Sequence, residues 1–228
     1  MVFVSGWFGG EMMSVITISR EFGSEGDTVA EKVAQALGYH LVDKAVIGSL
    51  LSQYGLVEFE KDYDVLPGFR DRFSGQKAQR RDQMVSMLNQ IVRAVAQRGD
   101  VVIVGRSGFA ILQGFADVLN VRIQTPLPVR VNRVMAQQQI SAEQAETVVK
   151  ENDKARLAFI ESFYKARWDA ATAFDLVIDT GKVSPDLAAA WLIDAAKALN
   201  ERAADDRPTC SSIQVDPILA GAVAYALK

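Results

Sequence analysis

The chain has 228 residues, 49% hydrophobic and 23% charged, with a formal net charge of −3. That is enough for one large core-forming domain of ordinary globular balance. There is no basic surplus to mark a nucleic-acid binder, a single cysteine excludes an internal disulfide framework and fits a reducing, cytoplasmic setting, and no apolar run is long enough to span a membrane.

Residues 1–13 are apolar but have no basic leader segment, and read as a disordered or loosely docked extension. Val15 to Ile18 predicts a buried strand. A glycine-bearing turn, Ser19 to Gly26, follows it. Asp27 to Leu37 predicts an amphipathic helix stopped by Gly38. Tyr39 to Val42 predicts a short strand, after which Asp43 caps a helix running to about Tyr54. Glu58 to Gln76 is polar and irregular. Lys77 to Arg98 predicts a long helix, because Met84, Leu88, Ile91 and Val95 recur at three- and four-residue steps.

Asp100 to Val104 predicts a continuous apolar strand ending at Gly105, and Val118 to Gln124 another. Pro126 to Gln139 predicts a helix with proline in its first turn. Ser141 opens a helical stretch reaching about Trp168. Phe174 to Ile178 predicts the last strand and Pro185 to Arg202 a helix. Ala203 to Ser212 reads as a linker. Ile218 to Leu227 reads as a short helix docked on the domain or on a partner.

The organisation is therefore an extension (1–13), an α/β domain (14–202) with helical insertions at about 44–98 and 140–168, and a linker with a C-terminal helix (203–228). Strands alternating with helices predict a parallel sheet covered on both faces. Ligands of such sheets sit beyond the carboxyl ends of the strands. The Ser19–Gly26 turn, Asp43, Gly105–Arg106–Ser107 and Asp179–Thr180 all fall at such ends.

The first turn points backbone amides and a helix N-terminus at whatever lies above it, an arrangement suited to phosphate. A full phosphate loop reads G-x-x-x-x-G-K-[ST]. Here Arg20 falls at the first glycine, Gly26 near the lysine and Thr28 near the hydroxyl residue. No lysine lies in the turn, and Arg20 is the candidate for its charge. Ser19, Arg20, Gly23, Ser24, Gly26, Asp27 and Thr28 form the candidate phosphate-binding set, with Thr28 the candidate ligand of a nucleotide-borne magnesium. Glu21, Glu25 and Asp27 are unfavourable beside a triphosphate unless turned outward or bridged by metal. The plain alternative is a tight turn that binds nothing.

ITISREFGSEGDTVAEKVAQALGYHLVDKAVI resembles the opening of the cytidylate kinase-like family, a branch of the nucleoside monophosphate kinases within the P-loop NTPases. VVIVGRSGFAIL, VRIQTPLPVRVNRVM, the D-x-x-R of NDKAR and FDLVIDTGKVS extend the resemblance over about Val15 to Leu199. Order and spacing carry it. It implies a three-layer fold with a parallel five-stranded sheet, a mobile monophosphate-binding region and a lid. It also implies ATP–Mg²⁺ as donor and a small phosphate- or hydroxyl-bearing acceptor such as CMP; charge and hydropathy add the expectation of no nucleic acid or membrane partner.

Each implied site residue has a plainer reading beside it. Asp43 and Lys44 lie where the acceptor monophosphate enters, or are a cap and a surface lysine. Arg106 matches an acceptor-binding arginine, or is a salt-bridge arginine; cytidylate kinases follow it with aspartate, and this chain has Ser107. Arg133 matches an arginine reaching the donor phosphates; Arg130 shares its face, and the two also read as a solvated basic face. Asp153 matches a lid aspartate on the acceptor sugar, and Arg156 a lid arginine on the transferring phosphoryl. At a spacing of three they also read as an intrahelical ion pair. An earlier lid arginine is absent, with Val149 near its place. Phe159, Phe163, Tyr164 and Trp168 could stack on a base, though aromatics at helical spacing usually pack. Catalysis falls to Arg156, Arg133 and Arg20. A nucleotide sensor without catalytic activity on the same fold is the alternative.

Overall fold

The computed structural model describes residues 14–56, 75–201 and 206–228. The expected extension (1–13), most of the irregular stretch (57–74) and part of the linker (202–205) lie outside them. Strands β1 (Val15–Arg20), β2 (His40–Val42), β3 (Val101–Val104), β4 (Val118–Gln124) and β5 (Leu176–Asp179) form one parallel sheet in the order β2-β3-β1-β4-β5. β1, at the centre, runs two residues past the expected Ile18, because Ser19 and Arg20 still pair with Arg122 and Ile123 of β4. That extension holds the start of the glycine turn rigidly in the sheet.

The helices are α1 (Gly26–Leu37), α2 (Lys44–Gln53), α3 (Gly75–Arg98), α4 (Gly108–Ile111), α5 (Leu127–Gln138), α6 (Ala142–Tyr164), α7 (Pro185–Asn200) and α8 (Pro217–Ala226). α6 starts at a capping box, with Ser141 and Gln144 bonding each other's backbone amides. It stops at Tyr164 rather than near Trp168, because Lys165 turns left-handed at φ 53°.

Alternation along the strands divides the core between two faces. Val15, Val101, Ile103 and Val118 meet α2, α3 and α8 on one side, through residues such as Leu50, Leu88, Ile91 and Val223. Ile16, Ile18, Val102, Val121 and Ile123 meet α1 and α7 on the other, through Val29, Val33 and Leu192. Burying each such large aliphatic side chain stabilises the fold by about 1.5–3 kcal/mol.

α8 docks on the domain. Leu219, Val223 and Leu227 enter the first cluster, and Arg98 Nη2 donates to the Leu227 carbonyl at 3.2 Å. Cys210 is buried beside it, its amide donating to both Asp117 carboxylate oxygens. Burial and the neighbouring Asp117 charge push its thiol pKa upward. Among the described residues, no helix is long and apolar enough to cross a membrane.

Candidate functional site

The turn between β1 and α1 is tied down from below. Ser24 closes it, donating from its amide and its hydroxyl to the Glu21 carbonyl at 3.3 and 2.8 Å. Gly23 has φ 78°, and a Cβ there would meet Val134 and the Arg130 backbone at 3.1–3.3 Å, so the turn rests directly on α5. Glu25, the residue before α1, is left-handed at φ 60° and makes no side-chain cap. The N-terminal amides of α1 thus have no side-chain partner from the position that usually provides one. A cavity of about 800 Å³ lies against this turn, lined by Arg20 through Glu25, Asp27, Thr28, Lys44, Arg106, Arg133 and Arg156, among others.

Each acidic side chain of the turn is met by an arginine. Glu21 turns inward: Oε2 accepts from the Thr125 amide at 2.9 Å and lies 3.4 Å from Arg130, and Oε1 lies 3.2 Å from Arg122. Burial lowers the pKa of Arg122, and the Glu21 charge is the main opposing influence. Glu25 pairs with Arg133 at 2.7 Å, and Asp27 with Arg20 at 3.0 Å. The carboxylates that looked hostile to a polyphosphate are therefore neutralised by neighbouring side chains.

The missing lysine has a steric explanation. A Cβ on Gly26 would lie 2.5 Å from Arg20 Cβ and 2.9 Å from its Cγ. The Arg20 side chain crosses the face of Gly26 and carries its guanidinium past Gly105 to Asp27. In this arrangement Arg20 and a lysine at position 26 exclude each other.

The other residues singled out in the sequence separate into those lining the cavity and those holding its walls. Arg156 lines it, donates to the Arg20 carbonyl at 2.9 Å and lies over the Phe22 ring. Arg133 lines it while donating to the Thr180 carbonyl at 2.8 Å. Thr180 in turn donates to the Ser24 carbonyl at 2.6 Å, so the end of β5 also holds the turn. Arg106, buried at the end of β3, and Lys44 complete the basic lining.

Asp43 and Asp153 are not among the lining residues. Asp43 caps α2, accepting from the Ala45 and Val46 amides at 2.9 and 3.0 Å. Asp153 accepts from the Phe22 amide at 3.0 Å and pairs with Arg130 at 2.5 Å, a bond to the neighbouring helix rather than to Arg156. Ser19 lies off the main cavity, its hydroxyl accepting from Trp168 Nε1 at 2.6 Å. Trp168 is buried under Arg122, whose guanidinium carbon is 4.4 Å from the ring centroid. Phe159, Phe163 and Tyr164 pack on the first core cluster, so the aromatic run is packing. Val149 is fully buried and cannot stand in for a lid arginine.

Sequence reasoning underrated Arg130. It is buried on α5, bonds the carbonyls of Thr125 and Phe22, and joins Asp153 to Glu21. Its spacing from Arg133 showed a shared face, but no pattern in the chain announces partners more than a hundred residues away.

Magnesium keeps several waters and takes few protein ligands, so the Thr28 hydroxyl on the cavity wall suits it as a nucleotide-borne ion. Among the described residues, no cluster of His, Cys, Asp or Glu could hold a metal by itself.

The chain resembles known proteins in both sequence and fold. The sequence model of the cytidylate kinase-like family matches residues 15–182. A cytidylate kinase of Natronomonas pharaonis is 28% identical over 194 residues, covering 84% of this chain and 92% of that protein. A cytidylate kinase of Ignicoccus hospitalis is 27% identical over 175 residues, covering 76% and 94%. The crystal structure of an uncharacterized protein from Eubacterium ventriosum superposes with a TM-score of 0.62 at 23% identity, covering 81% of this chain and 99% of that one. The two share the fold, a parallel five-stranded sheet with flanking helices.

Proposed function

The chain belongs to the cytidylate kinase-like family, and on that premise we propose that it is an ATP-dependent phosphotransferase. It transfers the γ-phosphoryl of ATP to a small phosphate- or hydroxyl-bearing acceptor, with CMP and other nucleoside monophosphates the first to test. One observation carries this reading. A glycine turn at a helix N-terminus opens on a cavity of about 800 Å³ walled by Arg20, Arg106, Arg133, Arg156 and Lys44. Phosphoryl transfer needs mainly positioning and positive charge around the transferring group.

Arg20 and the turn amides hold the donor phosphates, with Arg20 taking the place of the lysine. Lys44 and Arg106 hold the acceptor. Arg133 and Arg156 stabilise the negative charge of the transition state. Thr28 would hold, on the protein side, a magnesium ion arriving with the nucleotide, which would supply charge neutralisation on the phosphates. Asp153, Arg130, Glu21 and Thr180 position the turn without touching substrate.

The Glu25–Arg133 and Arg20–Asp27 pairs favour a second reading, a nucleotide sensor without turnover, because both engage arginines that catalysis would need. A titration with ATP–Mg²⁺, followed by product analysis across a panel of nucleoside monophosphates, separates the two. Binding with a phosphorylated product supports the kinase. Binding without product from any acceptor supports the sensor. No binding overturns both.

A further inference from the structure

A second, smaller pocket shares Arg20 and Arg156 with the main cavity and is otherwise walled largely by Phe109, Trp168, Ser19 and Ser107. Its volume is about 20 Å³. A single water-sized group needs roughly 10–15 Å³, so the pocket accommodates one such group and excludes a nucleobase.

Two hydroxyls give it a chemical character. Ser107 is 2% exposed, makes no capping bond to α4, and its Oγ has no hydrogen-bond partner among the described residues. Ser19 is 6% exposed, and the bond its Oγ accepts from Trp168 leaves its own proton without an acceptor among the described residues. Buried polar groups are normally satisfied, and an unsatisfied one costs its full desolvation. One oxygen placed between the two serines, accepting from both, answers both needs. Of its two arginines, Arg20 is paired with Asp27 and Arg156 donates to the Arg20 carbonyl, and the rest of the wall is aromatic, aliphatic and hydroxyl, a lining for a neutral group.

We propose that this pocket is a one-oxygen subsite, held by Ser107 and Ser19, for a neutral oxygen of the water or alcohol class. It links the end of β3, on the acceptor side, to the start of the phosphate turn. The occupant is either a bound water or a hydroxyl of the acceptor; the second source rests on the kinase reading above, the first does not.

Crystals of the wild-type protein, of Ser107→Ala and of Ser107→Gly decide it. The glycine variant removes the hydroxyl while suiting the φ of 58° at this position, so it guards against a folding failure of the alanine variant. We expect one ordered oxygen peak within hydrogen-bond distance of both serine hydroxyls in the wild type, and its loss in the variants. Crystals grown with ATP–Mg²⁺ and CMP then distinguish the sources. A separate peak that persists beside bound CMP is water; a peak replaced by a ribose hydroxyl is the acceptor's. If CMP does not bind, the CMP assignment fails while the peak in the protein alone still decides the subsite. No peak in the wild type, a peak that survives in both variants, or bromide occupying the position after a soak overturns the proposal.

Discussion

Arg133 spans the mouth of the phosphate turn to Glu25, with Nη2 2.7 Å from Oε2, while the Glu25 backbone is left-handed at φ 60°. A left-handed conformation costs a non-glycine residue about 1–2 kcal/mol. Glu25→Gly relieves that strain, at the expense of a half-exposed ion pair worth about 0–1 kcal/mol and of some backbone entropy. Stability should therefore change by no more than about 1 kcal/mol in chemical denaturation. Freeing Arg133 and removing a negative charge should tighten ATP–Mg²⁺ binding by roughly tenfold, or about 1.4 kcal/mol, at low salt. Calorimetric titration showing unchanged or weaker affinity would refute the competition between Glu25 and phosphate.

Restoring the familiar lysine alone should fail. Gly26→Lys places a Cβ against the Arg20 stem and should destabilise by about 1–3 kcal/mol, as overpacking does. Arg20→Gly in the same chain clears that space. The double variant should recover most of the loss, giving an interaction of at least about 1 kcal/mol in a double-mutant cycle. Additive effects would show that the two side chains do not compete.

Asp153 should behave as a structural strut. Asp153→Ala strips the buried Arg130 of a partner and leaves the Phe22 amide unbonded, a loss of about 3 kcal/mol. Urea melts measure it directly. Asp153→Asn keeps an acceptor for the amide and should lose less. A variant of unchanged stability with a purely raised acceptor KM would instead return Asp153 to the acceptor.

Arg156→Ala should lower kcat by about 10²–10³, the usual loss for one preorganised donor on a transition state, with the far-ultraviolet spectrum unchanged. Steady-state kinetics on whichever acceptor proves active provide the check. Full turnover would remove Arg156 from the catalytic set.

Cys210 gives a pH signature. Its thiol pKa is raised in the folded state, so that state holds the proton where the unfolded chain has lost it. This contribution is intact below the ordinary thiol value of 9.0 and declines as pH rises past it, by at most about 1.4 kcal/mol per pH unit. Stability of the wild type should fall more steeply than that of Cys210→Ala between pH 9 and 10. Equal slopes would mean the thiol is not held neutral.

Most of the architecture was legible in the chain because it rests on local signals. Strands, caps and stops such as Asp43, Gly38 and Ser141 act over a few residues, and the alternation of strands and helices leads to a parallel sheet. The candidate site was legible in part. Arg20, Arg106, Arg133, Arg156, Lys44 and Thr28 do line one cavity, since strand ends and helix starts fix where they fall. What escaped was pairing at long range. Glu21, Arg122, Arg130 and Asp153 come together from four segments, the first turn, β4, α5 and α6, and their spacing in sequence says nothing of it. The bonds of Asp43 and Asp153 escaped in part for a related reason: each carboxylate accepts from backbone amides, and for Asp153 the Phe22 amide is 131 residues away.

The docking of α8 also bears on how the protein is made. Leu219, Val223 and Leu227 lie more than a hundred residues after α3, which α8 covers together with α2. The opposite face closes with α7, ending at Asn200. During synthesis from the N-terminus, the α1–α7 face can therefore consolidate while α2 and α3 still show the aliphatic surface that α8 covers. A ribosome that pauses before α8 emerges would present that surface to chaperones, so the emergence of α8 sets the moment at which it is hidden.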